Sequence, residues 1–281
     1  MQKIAILTDS ASDISPELID KYNIKVAPFR IIYSEKEFED KVSISPEEVY
    51  SSLTKEIPTT SLPSVEKISS ILSELEEQGY THVISINISS NLSGTSNSIR
   101  LILEDHPKLT SHVFDTKTLT MAEGAIVIEA AKMVQDGRTF EEIIEALPKL
   151  REKVHCFFTL NTLEYLKKGG RIGKVAGTVG ELLKLKPIIV VGDDGIYHTQ
   201  AKVRGRNQSF NRLHDILKTY VSKGKCKLWV LHGDAPKDCE DFCEIIKNDN
   251  NIVELNTGSI GPALGVHTGP GLIGFVLQEV E

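Results

Sequence analysis

The chain predicts an α/β protein built as two units, the first with a mostly parallel sheet and the second with a mixed one. Three observations carry that expectation. Short apolar runs bounded by turn residues alternate with stretches of helical periodicity through the first half. Segments rich in hydroxyls and glycine follow several of those runs, where strands hand over to loops. Past residue 150 the alternation is broken by Gly192-Asp193-Asp194-Gly195, a hairpin signal that a purely parallel sheet does not need.

Taken in order, KIAILT (3–8) reads as a buried strand. Ser15-Pro16-Glu17 then starts a helix with a capping residue and a proline at its first position. Residues 24–29, continuing to Tyr33, read as one extended run, and Ser45-Pro46-Glu47-Glu48 repeats the helix-start signal. VEKISSILSELEEQ (65–78) spaces its apolar residues by three and four and ends at Gly79, so it is an amphipathic helix. A strand at 82–88, a helix at 98–105, a strand at 112–116 and helices at 121–135 and 140–152 complete the first unit. The spacing sets a boundary near 150–155, giving units 1–152 and 153–281. The second unit has strands at 155–160, 187–191, 196–201, 227–233, 252–256 and near 272–280, with a helix near 236–247.

At 281 residues there is enough chain for a large core or two smaller ones. A formal net charge of −7 disfavours nucleic acid and anionic lipid as partners of the whole molecule. No apolar window is long enough to cross a membrane, and MQKIAILTDS has no signal-peptide pattern, so a cytoplasmic protein is expected. Cys156, Cys226, Cys239 and Cys243 are scattered. They read as free thiols rather than zinc ligands, and neither metal nor cofactor is expected.

Four segments combine small and hydroxylic residues: 8–15, 59–64, 89–98 and 259–271. Glycines such as Gly94 let backbone N–H groups approach a ligand, and Ser93 and Thr95 can donate hydrogen bonds. A helix starting after Gly94 adds partial positive charge, so together these segments describe an anion site. Enzymatic motifs are missing. There is no G-x-S-x-G, and Gly173-Lys174 runs into Val175 without the upstream glycine of a phosphate loop. Gly269-Pro270-Gly271-Leu272-Ile273-Gly274 matches a dinucleotide fingerprint but leaves no room for the rest of that unit.

TDSASDIS near the start, TSLPS at 60–64, LSGT at 92–95, GGRIGK at 169–174, KVRGR at 202–206 and HTGPG at 267–271 together resemble the DegV family, in order and spacing, over essentially the whole chain. The resemblance implies a two-domain fold that buries one long-chain fatty acid, palmitate-like or oleate-like, between its domains. It also implies a carrier role: the protein performs no chemistry itself and presents the carboxyl group to a fatty acid kinase, whose acyl phosphate product feeds phospholipid synthesis. By motif, the carboxylate ligands fall on Thr60, Ser93 and His267, with Ser61, Gly94 and Thr95 beside them. Leu62 departs from the usual glutamine of TSQPS, and Ser96 from the common tyrosine after LSGT.

The segment 167–206 holds nine Lys/Arg against three acids, a local balance of +6 that leaves −13 for the remaining 241 residues. Such asymmetry suits an electrostatic docking surface. On the family reading, Arg171, Lys174, Arg204 and Arg206 meet the kinase or the phosphates of ATP. Two rival readings compete with the carrier: a small-molecule hydrolase using Ser93 with His267 as base, and a nucleic-acid module using the basic segment. The hydrolase lacks an acidic partner for His267 by motif, and the basic segment lacks interleaved aromatics.

Overall fold

A computed structural model describes residues 2–181 and 186–280. In chain order the strands and helices are β1 (Ile4–Asp9), α1 (Pro16–Tyr22), β2 (Lys25–Ala27), β3 (Arg30–Ile32), β4 (Glu37–Glu39), α2 (Pro46–Ser52), β5 (Thr59–Ser61), α3 (Val65–Glu77), β6 (His82–Asn87), α4 (Thr95–Leu103), β7 (Thr110–Asp115), α5 (Thr120–Gln135) and α6 (Phe140–Glu152). They continue as β8 (Val154–Thr159), α7 (Glu164–Lys168), β9 (Ile188–Val191), β10 (Tyr197–Ala201), α8 (Arg206–Val221), β11 (Cys226–Gly233), α9 (Pro236–Ile246), β12 (Ile252–Ser259), α10 (Pro262–Thr268) and β13 (Leu272–Glu279).

The first sheet runs β2-β1-β6-β7 and is parallel throughout. Every residue of β1 is buried, as a strand covered on both faces requires. The second sheet runs β10-β9-β8-β13-β11-β12 and is mixed: only β11 and β12 pair in parallel. This is the α/β class and the pair of sheets that the sequence predicts. The chain passes from one sheet to the other between α6 and β8.

Between the sheets lies α5, packed on β1 and β6 of the first and on β8 and β13 of the second. Its sequence, TMAEGAIVIEAAKMVQ, is apolar nearly all round, which suits a helix buried on all sides. Gly124 lets it approach closely, because a Cβ there would lie 2.5 Å from the Ser12 carbonyl oxygen. One continuous core, from Ile4 and Ile86 through Ile126 to Phe158 and Val276, therefore spans both sheets.

Several elements differ from expectation. The single extended run at 24–33 is two strands in two sheets. Pro28 has no N–H for a ladder and the Phe29 N–H donates to Ser10 Oγ at 3.0 Å, so pairing stops there. The chain re-forms as β3 in a small antiparallel sheet, β4-β3-β5. Residues 59–64, expected as a loop, include the edge strand β5, with Thr60 opposite Ile31. Residues 259–271, also expected as a loop, enclose α10. Finally, α8 was not anticipated, although Leu213, Ile216, Leu217 and Val221 bury one helical face. No helix among the described residues is long and apolar enough to cross a membrane.

Candidate functional site

The hydroxyl-rich segments converge around His267. This histidine sits in the last turn of α10, whose first backbone N–H groups are met by distant carboxylates. Gly261 N donates to Asp13 Oδ1 at 3.1 Å and Ala263 N to Asp40 Oδ1 at 3.1 Å. Satisfying helix-start donors in this way fixes where α10 begins and hence where its last turn delivers the imidazole. The carboxylates belong to a buried cluster with Asp9 and Glu123. Desolvation pushes Asp9 up to about 7, against the pull of N–H donors from Ile88, Ala11 and Asn87. It also pushes Asp40 up to about 6 and raises Glu123 well above the carboxylate range.

Thr60, on β5, shares a hydrogen bond of 2.7 Å with His267 Nε2. The other ring nitrogen, Nδ1, is buried without a partner. Desolvation, and secondarily the positive charge of Arg171, push the His267 pKa down to about 4, so the ring is neutral near pH 7. Gly169 packs against this ring so closely that a Cβ there would lie 2.1 Å from Nδ1. Ser93 lies just before Gly94, the N-cap of α4. Its Oγ shares a 2.8 Å hydrogen bond with Thr95 Oγ1.

Three cavities meet here. An open cleft of about 690 Å³ is lined by Lys55, Thr59, Thr60, Lys168, Arg171 and His267, among others. Behind it, an inner chamber is walled by Phe29, Ile88, Leu92, Ser93, Leu119, Tyr197 and Leu264, and Thr60, Arg171 and His267 line this chamber as well. A second, almost wholly apolar chamber continues past Leu119, Tyr197 and Leu264 to Cys156, Phe157, Phe158, Leu231 and Phe275. Each chamber has a cavity volume of about 30 Å³. Both are narrow, and apolar side chains make up most of their walls.

Of the residues expected at the site, Thr60, Ser93 and His267 share the inner chamber. Gly94 caps α4, and Thr95 stands behind Ser93, fully buried. Ser61 is not brought in: successive strand residues face opposite ways, and its Oγ accepts from Arg30 Nη2 at 3.0 Å. The four expected docking cations also separate. Lys174 pairs with Asp194 at 2.7 Å, Arg206 pairs with Asp238, and Arg204 is exposed. Arg171 is half-buried at the cleft wall, donating through Nη1 to the Gly169 carbonyl at 2.6 Å and through Nε to the Leu92 carbonyl at 3.3 Å. Residues 182–185, including Lys184 of the basic segment, lie outside the described residues. The slot residues Leu119, Tyr197 and Leu264 carry no motif and were not anticipated. For Gly169 the doubled glycine was the available signal.

The arrangement does not support a hydrolytic triad. Ser93 Oγ is bonded to Thr95 rather than to His267, and no carboxylate meets His267 Nδ1. No group of three or more His, Cys, Asp or Glu among the described residues could hold a metal.

Comparison with known proteins agrees with the fold. A family model described as an uncharacterised protein of the DegV family matches residues 3–280. A DegV domain-containing protein of Clostridium acetobutylicum is 48% identical over 277 residues, covering 99% of both chains. A fatty-acid-binding DegV family protein from Thermus thermophilus superposes with a TM-score of 0.92 at 27% identity, over 99% of this chain and 100% of that one. A stearic-acid-binding protein from Eubacterium ventriosum gives 0.89 at 32% identity, over 99% of this chain and 98% of that one. With a family model spanning nearly its whole length and a relative close to half identical, the chain belongs to the DegV family.

Proposed function

We propose that this protein binds one long-chain fatty acid, with the carboxylate on Thr60, Ser93 and His267 and the acyl chain in the slot between the parallel and mixed sheets, that is, between an N-terminal unit 1–152 and a C-terminal unit 153–281. One observation carries the reading: Thr60 and His267 line both an open, polar cleft and the inner chamber, which shares Leu119, Tyr197 and Leu264 with a narrow apolar one. An amphiphile with a polar head and a thin tail suits both sides. The fatty-acid-binding relatives of the same fold support it.

The energetics divide the work. A sixteen-carbon acid offers about 14 methylenes at roughly 0.8 kcal/mol each, a ceiling on the order of 11 kcal/mol before ordering costs. Burying the carboxylate costs free energy unless donors meet it. The tail therefore supplies affinity, and the polar groups set where the oxygens point.

The head then lies at the cleft, within reach of another protein. The carrier presents it in the cytoplasm to a fatty acid kinase, which forms an acyl phosphate for phospholipid synthesis. Exposed Arg204 is the docking cation, since Lys174 and Arg206 are held by Asp194 and Asp238 and Arg171 is half-buried at the cleft. Native mass spectrometry of protein purified from a bacterial host tests the first part. A bound mass of a C14–C18 acid is expected; a bare chain that also fails to take up added palmitate overturns it. For the second part, Arg204→Glu is expected to slow kinase-dependent phosphorylation of the bound acid while leaving binding intact. Unchanged phosphorylation would count against this docking surface.

A further inference from the structure

Asp40 is not among the residues that line the three cavities, yet one turn of helix ties it to the headgroup site. It is buried just after β4, and its two oxygens hold two different parts of the molecule. Oδ1 accepts from Ala263 N at 3.1 Å, in the first turn of α10. Oδ2 accepts from Ser10 Oγ at 2.5 Å, and that hydroxyl in turn accepts from Phe29 N at 3.0 Å. Ala263 itself lines the inner chamber. His267 follows it by four residues, so the anchor and the imidazole share a helix face, about 6 Å apart along the axis. The ring has little room to absorb a shift of that turn. Thr60 holds Nε2 at 2.7 Å, and Gly169 packs against Nδ1. A small movement at Ala263 is therefore passed to the bond between His267 and Thr60.

The groups around Asp40 make this anchor depend on charge. Lys41, the next residue, pairs with Asp13 Oδ1 at 2.5 Å and donates to the Ser10 carbonyl at 2.9 Å. Asp9 and Asp13, from the end of β1 and the turn after it, both face Asp40, and Asp13 also accepts from Gly261 N at the start of α10. Glu123 on α5 faces Asp9, Asp13 and Lys41. Tyr50 on α2 faces Asp13, with Asp234 and Glu47 on its other sides. The first turn of α10 brings no charged side chain. Burial pushes the Asp40 carboxyl up to about 6, against the pull of Lys41, Ser10 and the Ala263 N–H. Those bonds are bonds to the ionised carboxylate, which accepts more strongly than the neutral acid. A proton on Oδ2 would also set a donor against a hydroxyl that now donates to it.

We infer that Asp40 is a positioning residue for the headgroup site, holding α10 and with it His267 in register only while its carboxyl is ionised, so that acidification loosens the grip on the ligand's head. The effect on binding rests on the fatty acid reading above; the displacement of His267 does not.

The His267 ring is its own reporter, because a pKa held down near about 4 keeps it neutral while Asp40 titrates. In ligand-free protein, the His267 Cε1–H resonance is expected to shift between pH 8 and pH 5 with a midpoint near about 6. In Asp40→Asn, a neutral isostere, it is expected to stay flat over that range. A flat wild-type profile, or the same inflection in the variant, overturns the inference. Should the variant not fold, the wild-type profile decides alone: a midpoint at about 7 belongs to Asp9 and overturns it as well. On delipidated protein, Asp40→Asn is expected to bind palmitate at least fivefold more weakly than wild type at pH 8 and within twofold of it at pH 5. Taking the ratio at each pH cancels the ionisation of palmitate itself, and a ratio that does not change with pH overturns the inference. If wild-type protein binds no palmitate at any pH while the His267 resonance still moves, the fatty acid reading fails and the positioning by Asp40 stands.

Discussion

Thr60 and His267 stand 207 positions apart in sequence, yet they share one 2.7 Å hydrogen bond that joins an edge strand of the small sheet to the last turn of α10. That bond is the only hydrogen bond of the imidazole's nitrogens among the described residues, since Nδ1 is buried without a partner. A buried ring nitrogen without a partner is costly to the fold, so the imidazole is not placed there for stability.

Replacing His267 should therefore affect binding more than folding. His267→Leu removes a hydrogen bond to a charged group, about 1.5–3 kcal/mol, so palmitate affinity is expected to drop at least tenfold by calorimetric titration. The same variant has a pH signature. The folded ring takes a proton only near pH 4, whereas the unfolded ring takes one near its ordinary 6.5. The stabilisation associated with this depressed pKa is present above 6.5 and is lost as pH falls towards 4, up to about 3 kcal/mol. Wild-type stability minus that of His267→Leu, from denaturant curves, should decline across this window. A constant difference would mean that the ring titrates in the folded protein as it does in the unfolded chain.

Glu123 carries the opposite sign. It is wholly buried on α5; Thr8 Oγ1 donates to its Oε1 at 3.0 Å, and its Oε2 has no partner. Desolvation first, then the negative charge of Asp9, raise its pKa well above that of the unfolded chain. A raised carboxyl pKa contributes stability that is complete below about 4.5 and is lost as pH rises through the folded value. Glu123→Gln mimics the protonated acid, so it is expected to match wild type near pH 5 and to exceed it by at least 1 kcal/mol at pH 8. Parallel losses at both pH values in urea unfolding would rule out a protonated Glu123.

How much of this was legible depends on how far apart the determining residues lie. The strand at Ile4–Asp9 and the cap at Ser45 are local, written in consecutive residues, and they were readable. So was the grouping of Thr60, Ser93 and His267, because the short motifs carrying them resemble a known family. Helix α10 was hidden because its cap comes from Asp13 and Asp40, more than 200 positions away. The three-residue strands β3, β4 and β5 are too short to show a period, so the facing of Ser61 away from the slot could not be read. Arg171 was counted with the surface cations because a sequence reports charge, not which guanidinium turns inward. Helix α8 is different: Leu213, Ile216, Leu217 and Val221 carry an apolar spacing that is legible in the sequence.

The slot supports a prediction about chain length. Leu119 lines both inner chambers, so a larger side chain there should close the passage between them. Eight methylenes separate palmitate from octanoate, worth about 6 kcal/mol at most. Leu119→Phe is expected to erase much of that advantage: palmitate should weaken at least tenfold and octanoate less than threefold in displacement titrations. An unchanged ratio would mean that the tail takes another path.

The adjacent glycines of the basic segment have separable roles. Gly169 lies in ordinary right-handed backbone at φ −76°, where alanine is unstrained, but its Cβ would lie 2.1 Å from His267 Nδ1 and 2.8 Å from Cε1. The ring would have to move, breaking its bond to Thr60. Gly170 is the reverse: nothing lies within 4 Å of a Cβ there, but its φ of +72° favours glycine. Gly169→Ala should thus cost at least tenfold in palmitate affinity with a modest change in stability. Gly170→Ala should cost about 1 kcal/mol of stability with binding nearly preserved, provided the turn keeps its shape. Thermal unfolding and palmitate titration on the two variants distinguish these outcomes. If both alanines act only on stability, the close packing of Gly169 on His267 does not position the headgroup site.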